Sequence, residues 1–297
     1  MSKNSTIVRA MKLATSGTSR VAPPLAAMWL EHLFLSPTPR PRPLREVEWL
    51  EGARRLAVPF EGSGHLPLYR WGHGPRVLLV HGWAGRGTQL AAFAAPLVEA
   101  GLEVIAFDAP AHGEAQGRQT NLPEMARAVE AVAEAVGPIY AIIAHSLGTA
   151  ATSLALSRGL SVERLIYLAP PENPGEYLHR AAGWLGFTKR VGRMTQSRVE
   201  ARFGLPFEQV KASELAPQQQ VPLQIFHDLE DRDVPWVEGR RLQRLWPGAR
   251  LFTTRGLGHR RLLRDEGVIA QGVAFLSGQP LEADLGGGLM VSHPPEA

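Results

Sequence analysis

The chain has 297 residues, a formal net charge of +4 and no cysteine. This length is enough for one large α/β domain with an insertion. The absence of cysteine excludes disulfides, a thiolate nucleophile and thiolate metal ligands. The mild excess of positive charge is spread along the chain and gives no indication of a nucleic-acid partner.

The first 54 residues are predicted to form an N-terminal extension. Residues 1–20 are polar and expected to fray, and Pro23 favours the start of an amphipathic helix that ends near Leu35. We expect this helix to pack on the body of the protein, with a membrane-surface helix or a pocket wall as alternatives. Residues 36–44 are proline-rich and predict an extended linker, and residues 45–54 a short helix.

The N-terminus also has features of a signal peptide, because basic residues precede an apolar stretch. Two prolines and Glu31 interrupt that stretch, and no small-residue cleavage site follows it. The segment is therefore predicted to belong to the mature protein, with a cytoplasmic location. No apolar run in the sequence is long enough to span a bilayer.

From residue 55 the pattern becomes one of alternating strands and helices. Strands are predicted at 56–60, 66–71, 77–80, 104–107, 139–143, 164–168, 223–226 and 250–253, and helices at 88–100, 122–136, 149–158, 237–246 and 260–277. This alternation predicts an α/β fold, with a mostly parallel eight-stranded sheet flanked by helices and an antiparallel hairpin at one edge.

The alternation breaks over residues 172–217, which contain scattered aromatic residues and helical stretches but no clear strand. This segment is predicted to be a helical cap inserted into a core of residues 55–171 and 218–277. The tail, residues 278–297, is rich in Gly and Pro and is predicted to be disordered. We therefore expect the functional residues beneath the cap, at the carboxyl ends of the strands.

The strand that begins at Ile139 ends in Ala144-His145-Ser146-Leu147-Gly148, and a helical stretch follows at once. A strand, a tight turn of small residues and a helix are the context of a nucleophile elbow, in which the serine hydroxyl is exposed at the turn. Ala144 stands where the usual motif has glycine, which is a mild departure. Ser146 is therefore the predicted nucleophile.

Four motifs in this order resemble the α/β-hydrolase family over about residues 56–276. They are His81-Gly82-Trp83, the Ser146 turn, Asp231-Arg232-Asp233-Val234-Pro235 and Gly256-Leu257-Gly258-His259. The resemblance implies a triad in the chain order Ser, acid, His. His259 would then be the base that activates Ser146, and a buried carboxylate would hold its tautomer. The family spacing selects Asp231, with Asp233 as the alternative.

The resemblance also implies an oxyanion hole formed by the backbone N–H groups of Trp83 and Leu147. The Trp83 side chain is then free to line an acyl pocket, and the aromatic residues Trp184 and Phe187 of the cap are predicted to contact the substrate. Basic residues in the cap would suit an anionic ester or thioester, but a solvated helical face explains them equally well.

Other histidines are interpreted as structural. His145 is expected to point away from the site, His81 to bond backbone, and Asp108 and His112 to order the loop that contains them. No set of His, Asp and Glu has metal-ligand spacing, and no phosphate-binding glycine pattern is present, so no metal or cofactor is predicted.

These features together predict a serine hydrolase that cleaves carboxylic esters through an acyl-enzyme. A thioesterase, an acyltransferase or a C–C bond hydrolase of the same fold is the alternative, and a non-catalytic binding protein is a further one. The predicted partner is a small-molecule ester or thioester. Nucleic acid and a membrane span are not expected, and the sequence gives no indication of an oligomeric state.

Overall fold

The computed structural model describes residues 3–38, 40–278 and 290–292. Within these residues, nine strands form one sheet: β1 (Arg54–Phe60), β2 (Gly64–Trp71), β3 (Arg76–Val80), β4 (Glu103–Phe107), β5 (Ile139–His145), β6 (Arg164–Leu168), β7 (Leu223–Asp228), β8 (Arg250–Thr254) and β9 (Met290–Ser292). Their order is β1-β2-β4-β3-β5-β6-β7-β8-β9. Strands β3 to β8 are parallel, and β1, β2 and β9 add antiparallel pairs at the two edges.

The eight predicted strands are all present, and the mostly parallel sheet is confirmed. The ninth strand, residues 290–292, lies in the tail that the sequence predicted to be disordered, so that prediction is wrong for these three residues. They pair with β8, from Leu251 opposite Ser292 to Thr253 opposite Met290, because an edge strand offers unpaired backbone groups. The other tail residues, 279–289 and 293–297, lie outside the described residues.

Twelve α-helices occur among the described residues: α1 (Lys3–Val21), α2 (Pro23–Leu35), α3 (Leu44–Glu48), α4 (Ala94–Glu99), α5 (Leu122–Val136), α6 (Leu147–Ser157), α7 (Glu176–Leu185), α8 (Lys189–Phe203), α9 (Ala212–Leu215), α10 (Trp236–Leu245), α11 (Gly258–Arg261) and α12 (Glu266–Leu276). Short 3₁₀ helices occur at Gly87–Phe93, Phe207–Val210, Ala216–Gln218 and Leu262–Arg264. The helices predicted at 88–100 and 260–277 are thus divided into shorter pieces.

Both faces of the sheet are buried. Along β3, Leu78 and Val80 belong to one apolar core and Val77 and Leu79 to the other, as the two-residue period of a strand requires. Helices α5, α6 and α10 cover the first face, and α4 and α12 cover the second. Such double coverage explains why the central strands are continuous apolar runs.

The N-terminal helices pack on the segment between β6 and β7, which we call the inserted segment (residues 172–217). Ala26, Ala27 and Leu30 of α2 form a third apolar core with Leu178 of α7 and Val191 of α8. The prediction that this helix packs on the body of the protein is therefore confirmed, and the inserted segment is the part of the body that it meets.

The expectation that residues 1–20 fray is wrong over 3–20, because these residues lie in α1. Thr15 is buried, and its hydroxyl donates to the carbonyl of Leu185 at the end of α7 at 2.7 Å. A tertiary contact thus stabilises a helix whose composition alone is not strongly helix-forming. None of the helices in the described ranges has the length and apolar character needed to cross a bilayer.

Candidate active site

Ser146 occupies a strained turn between β5 and α6. Its φ of 52° and ψ of −126° lie in a region that non-glycine residues rarely adopt. The turn is crowded: a Cβ atom on Gly82 would lie 2.8 Å from the Ser146 Cβ, and one on Gly148 would lie 2.5 Å from the His81 carbonyl oxygen. Small residues are therefore required where the loop after β3 approaches the turn, as the sequence predicted.

The alanine at the first motif position is accommodated because it is an ordinary strand residue. Ala144 is buried in β5, opposite Val80 and Tyr167 in the neighbouring strands. The positive φ of this turn falls on Ser146 itself and not on Ala144. Replacement of the usual glycine therefore adds no backbone strain.

Asp231 and His259 meet at the carboxyl edge of the sheet. The ring Nδ1–H of His259 donates to Oδ2 of Asp231 at 2.7 Å. The other oxygen, Oδ1, accepts from the backbone N–H groups of Asp233 and Val234 at 2.8 and 2.9 Å. Asp231 is therefore the carboxylate that contacts His259, and Asp233, the alternative, is exposed and contributes only backbone.

The hydroxyl of Ser146 and the Nε2 of His259 have no hydrogen-bond partner among the residues that the structure describes. His145, which precedes Ser146, joins the two loops. Its Nε2–H donates to the His259 carbonyl at 3.0 Å, and the two rings are 4.6 Å apart. The three predicted residues thus lie on adjoining loops of one sheet edge, with the serine–histidine hydrogen bond not formed. Such bonds are often long before substrate binds.

His145 has a role that the sequence interpretation missed. It was expected to point away from the site, but its buried ring lies against His259. Burial, and then the nearby charges of His259 and Arg260, lower the pKa of His145 well below its usual value, so the ring is neutral at pH 7. The signal available in the sequence was its position beside the nucleophile, where the loops of neighbouring strands converge.

The loop that carries His259 is fixed to β7 by Asp228. One oxygen of this carboxylate accepts from the Thr254 hydroxyl at 2.7 Å and from the Leu257 N–H at 2.9 Å. Burial opposes ionisation of Asp228, but these hydrogen bonds and one from the Glu230 N–H keep its pKa below the usual value. The carboxylate therefore remains charged and holds the loop at neutral pH.

Two backbone N–H groups at the site are free. Trp83 follows β3 and Leu147 opens α6, and neither N–H donates to an acceptor within the described ranges. The N–H of Leu147 is at a helix N-terminus, where unpaired donors and the helix dipole favour negative charge. This pair was predicted from the sequence as an oxyanion hole.

Buried histidines hold the loop that contains Trp83. His81 donates through Nδ1 to the Gly82 carbonyl at 2.8 Å and accepts from the Ala109 N–H at 3.0 Å, while Nε2 of His112 accepts from the Ala84 N–H at 3.0 Å. Burial lowers the pKa of His81 to about 4 and that of His112 to about 3. Both rings are neutral at pH 7, as acceptance of an N–H requires.

Asp108 completes this loop network. Its carboxylate accepts from the N–H groups of Gly87 and Glu114, both at 2.8 Å, and from the Tyr69 hydroxyl at 3.2 Å. Burial raises its pKa against the effect of these hydrogen bonds. The interpretation that Asp108, His81 and His112 order loops is confirmed by these contacts.

An apolar cavity of about 300 Å³ opens onto Ser146 and Leu147. Its walls come from three regions far apart in sequence: the end of α2, the start of α5 and the inserted segment. The lining residues are Leu33, Phe34, Leu35, Trp83, Thr120, Asn121, Leu122, Pro123, Ser146, Leu147, Pro171, Pro174, Gly175, Tyr177, Ala181, Val199, Phe203, Leu205, Phe207 and Val210. The end of α2 is thus also a pocket wall, which was the alternative interpretation of this helix.

Of the three side chains predicted to contact substrate, only Trp83 lines the cavity. Trp184 is 66% exposed. It lies two turns beyond Tyr177 along α7, roughly 10 Å by helical rise, which takes it past the cavity edge. Phe187 follows Gly186, which is left-handed and ends α7, and it packs against Trp29 with the ring centroids 5.5 Å apart. Neither Trp184 nor Phe187 therefore lines the cavity, because α7 carries the first beyond its edge and the chain turns after Gly186 to place the second against Trp29.

No cluster of three or more His, Cys, Asp or Glu suited to a metal ion occurs among the residues described. Most of the cavity lining is apolar, and its polar side chains are those of Thr120, Asn121, Ser146 and Tyr177. The site can therefore hold an apolar group against a serine hydroxyl, two free N–H donors and an aspartate-bound imidazole.

Comparison with solved structures gives matches to several hydrolases. A putative lipase from Acinetobacter baumannii AYE is 20% identical with a TM-score of 0.59, over 78% of this chain and 93% of that one. An esterase from Exiguobacterium antarcticum is 15% identical with a TM-score of 0.58, over 75% and 99%. At these identities the likeness is one of fold.

A bacterial membrane phospholipase A is 16% identical with a TM-score of 0.60 and covers 93% of this chain and 99% of that one. This larger coverage means that the match extends into the N-terminal extension. No curated protein sequence matches the chain. Residues 77–271, about two thirds of the chain, match the sequence profile of the alpha/beta hydrolase family, and this chain therefore belongs to that family.

Proposed function

We propose that this protein is a serine hydrolase that cleaves carboxylic esters with an apolar acyl group through an acyl-enzyme on Ser146. One observation carries the proposal: the strained turn presents Ser146 to an apolar cavity of about 300 Å³, beside two unpaired backbone N–H groups. A similar positive φ occurs at three alanines, so the proposal is supported by the combination of the strained turn with the cavity and the two N–H groups.

In the proposed reaction, the Ser146 hydroxyl attacks the ester carbonyl while Nε2 of His259 takes its proton. Asp231 holds the other ring nitrogen protonated through the 2.7 Å hydrogen bond, so Nε2 is the free base. The N–H groups of Trp83 and Leu147 stabilise the oxyanion, each by roughly 3 kcal/mol. His259 then gives its proton to the leaving alcohol, and water hydrolyses the acyl-enzyme by the reverse sequence of proton transfers.

The cavity supports a medium-length acyl chain. An apolar cavity of about 150 Å³ holds one benzene molecule, so a cavity of about 300 Å³ holds on the order of ten carbon atoms. Each methylene buried contributes about 0.8 kcal/mol, or close to a fourfold gain in kcat/KM. A series of aryl esters is therefore expected to show rising kcat/KM with chain length up to about eight to ten carbons and then a decline.

The direct test is Ser146→Ala with turnover of the best aryl ester and labelling by a fluorophosphonate. We expect turnover to fall by roughly 10⁶-fold and labelling to be lost. Ser157→Ala, at an exposed position near the end of α6, is the matched control and should leave both unchanged. Undiminished turnover or labelling in Ser146→Ala would disprove the proposal.

A matched panel distinguishes ester cleavage from the other reactions of the fold. Aryl esters, alkyl thioesters with the same acyl chain and an added alcohol acceptor would be compared at equal concentration. Greater kcat/KM for the thioester would indicate a thioesterase, and acyl transfer to the alcohol would indicate an acyltransferase. Absence of both turnover and labelling in the folded protein would indicate a binding protein.

A further inference from the structure

Exposed apolar side chains are concentrated on the N-terminal helices. Of the eleven large apolar residues that are exposed in the described ranges, six lie between residues 13 and 33, with exposures from 37% to 87%. These are Leu13, Val21, Leu25, Met28, Trp29 and Leu33. Exposed apolar side chains that are concentrated on two adjoining helices indicate an interaction site rather than scattered surface residues.

Helix α2 is apolar on two opposite sides. Ala26, Ala27 and Leu30 are buried against the inserted segment, whereas Leu25, Met28, Trp29 and Leu33 form an outward stripe at the i, i+3, i+4 and i+8 spacing of one helix face. One member of the stripe, Trp29, contacts the ring of Phe187 and remains 37% exposed. Leu25 and Met28 are 61% and 51% exposed, so this part of the stripe is open to solvent.

The exposed Trp184 extends this surface. The backbone carbonyl of its neighbour Leu185 accepts a hydrogen bond from the Thr15 hydroxyl on α1 at 2.7 Å. The end of α7 therefore lies directly beside α1. Two tryptophans that are at least one-third exposed, Trp29 and Trp184, thus lie on the same helical assembly. Tryptophan is enriched at the boundary between water and lipid.

Exposed cations lie on α1 and at the start of α8, the helices that adjoin α2. Exposed and without an ion-pair partner in the described ranges are Arg9, Lys12, Arg20, Lys189, Arg190 and Arg193. The N–H of Thr188 lies 3.4 Å from the Ser19 hydroxyl, which places the basic start of α8 beside the end of α1. Helix α1 has no acidic residue, and Glu31 of α2 is buried and paired with Arg198 and Arg202.

We propose that this surface, which we call the N-terminal face (α1, the outward stripe of α2, Trp184 and the start of α8), docks on a lipid bilayer that carries anionic headgroups. Apolar side chains would enter the headgroup boundary and the cations would contact the headgroups, which is how interfacial helices bind. A second copy of the chain fits less well, because a two-fold contact would bring these unpaired cations together.

The docked face would also connect the lipid to the active site. Leu33 is exposed on this face and lines the cavity that opens onto Ser146. An acyl chain that leaves the lipid layer would thus pass along α2 into the cavity. This part of the inference rests on the proposed esterase function, whereas docking itself does not.

Vesicle flotation of the purified full chain tests docking without any catalytic readout. We expect binding to an equimolar mixture of phosphatidylcholine and phosphatidylglycerol, and at least tenfold weaker binding to phosphatidylcholine alone. Leu25→Gln with Met28→Gln, and separately Lys189→Gln with Arg190→Gln, should each reduce the partition coefficient on the mixed vesicles about tenfold or more. All four positions are exposed.

Matched control pairs are Leu44→Gln with Val237→Gln, and Arg54→Gln with Arg244→Gln, which are also exposed but lie off the N-terminal face. Both should bind like the unchanged protein. Failure of the unchanged protein to bind mixed vesicles, or equal binding by Leu25→Gln with Met28→Gln, would overturn the proposal. A dimer in light scattering that this pair dissociates, without vesicle binding, would assign the face to a second copy.

Different results would contradict the proposed esterase function and the proposed docking on a bilayer. Ser146→Ala should bind vesicles like the unchanged protein, so vesicle binding with no hydrolysis would contradict only the proposed function. The Leu25→Gln with Met28→Gln pair should keep its turnover of a dissolved short-chain ester and lose about tenfold on an ester carried in vesicles. Equal turnover of the vesicle ester would contradict the delivery of acyl chains from a bilayer.

Discussion

The loops at the carboxyl edge of the sheet are held differently from the helices that line the cavity. We call these helices the wall; they are α2 and the helices of the inserted segment (residues 172–217). The loops are fixed by buried side chains that bond to backbone: Asp108 accepts the Gly87 N–H, Asp228 the Leu257 N–H, and His112 the Ala84 N–H. The wall is held by a small apolar core and by ion pairs in which one partner is half-exposed.

Two buried glutamates in the described residues form such ion pairs with arginines of the wall, and we call each set of pairs a link. Glu31 on α2 is buried and accepts from Arg198 and Arg202 of α8, while Glu238 on α10 is buried and accepts from Arg180 of α7 at 2.6 Å. Backbone-directed bonds tolerate little displacement, whereas long arginine side chains adapt. Under the proposed function, substitutions in the loops are expected to alter the reaction, and substitutions in the wall to alter which acyl group is accepted.

The largest effect is expected from Asp231→Asn in the loops. Asparagine keeps the volume but no longer favours the tautomer with Nδ1 protonated, so kcat on the best ester should fall about 10⁴-fold with an unchanged circular dichroism spectrum. Asp233→Asn, at the exposed alternative position, should stay within about twofold. If Asp233→Asn were the damaging variant, the assignment of the acid would be wrong.

The loops should also make the protein sensitive to acid. Burial lowers the folded-state pKa of His81 to about 4 from 6.5, so the unfolded chain binds more protons in this interval. The free energy of unfolding should therefore fall as pH drops from 6.5 towards 4, by roughly 3 kcal/mol for His81 alone. Urea titrations at several pH values measure this.

The variant His112→Gln tests whether buried histidines cause this dependence of the unfolding free energy on pH. Glutamine can still accept the Ala84 N–H but cannot be protonated, and the folded-state pKa of His112 is lowered by burial to about 3. The dependence of unfolding free energy on pH should become shallower in the variant. An unfolding free energy that stays constant from pH 7 to about 4.5 in the unchanged protein would contradict the burial argument.

In the wall, Ala181→Phe should change acyl selectivity. Ala181 lines the cavity, and a phenyl ring there that displaces about three methylene groups should reduce kcat/KM for a long-chain ester by roughly 50-fold. The acetate ester should remain within about threefold, because its short acyl group does not reach the ring. Trp184→Phe, outside the cavity, is the control, and an altered chain-length profile in that variant would restore Trp184 as a cavity residue.

The smallest effect is expected when a link of the wall is weakened. Glu31→Gln removes the charge that Arg198 and Arg202 share, and because both arginines are nearly half-exposed the cost should be only about 1–2 kcal/mol. The rate of proteolytic cleavage within α1 or α8 measures this loss of stability and should rise in the variant. Glu176→Gln, which weakens a surface pair with Arg180, should cause no measurable change, and equal protease sensitivity of both variants would contradict the role of Glu31.

Local sequence patterns were enough to predict the sheet and the edge at which Ser146 lies. Apolar β-branched runs, with turns of small residues at their ends, identified the six parallel strands because burial on both faces of a parallel sheet leaves a short-range pattern. The turn at Ser146 was predictable for the same local reason. The order of the motifs, which resembles that of the α/β-hydrolase family, then predicted that Asp231 and His259 act together with Ser146.

The residues that surround this edge could not be predicted in the same way, because tertiary packing places them. Trp184 and Phe187 were assigned to the cavity from their residue type, but the end of α7 and its packing on α2 direct them elsewhere. The contact of His145 with the His259 carbonyl and the helical state of residues 3–20 were likewise not predicted. The position and rotation of a helix depend on partners far away in sequence, and no local pattern encodes them.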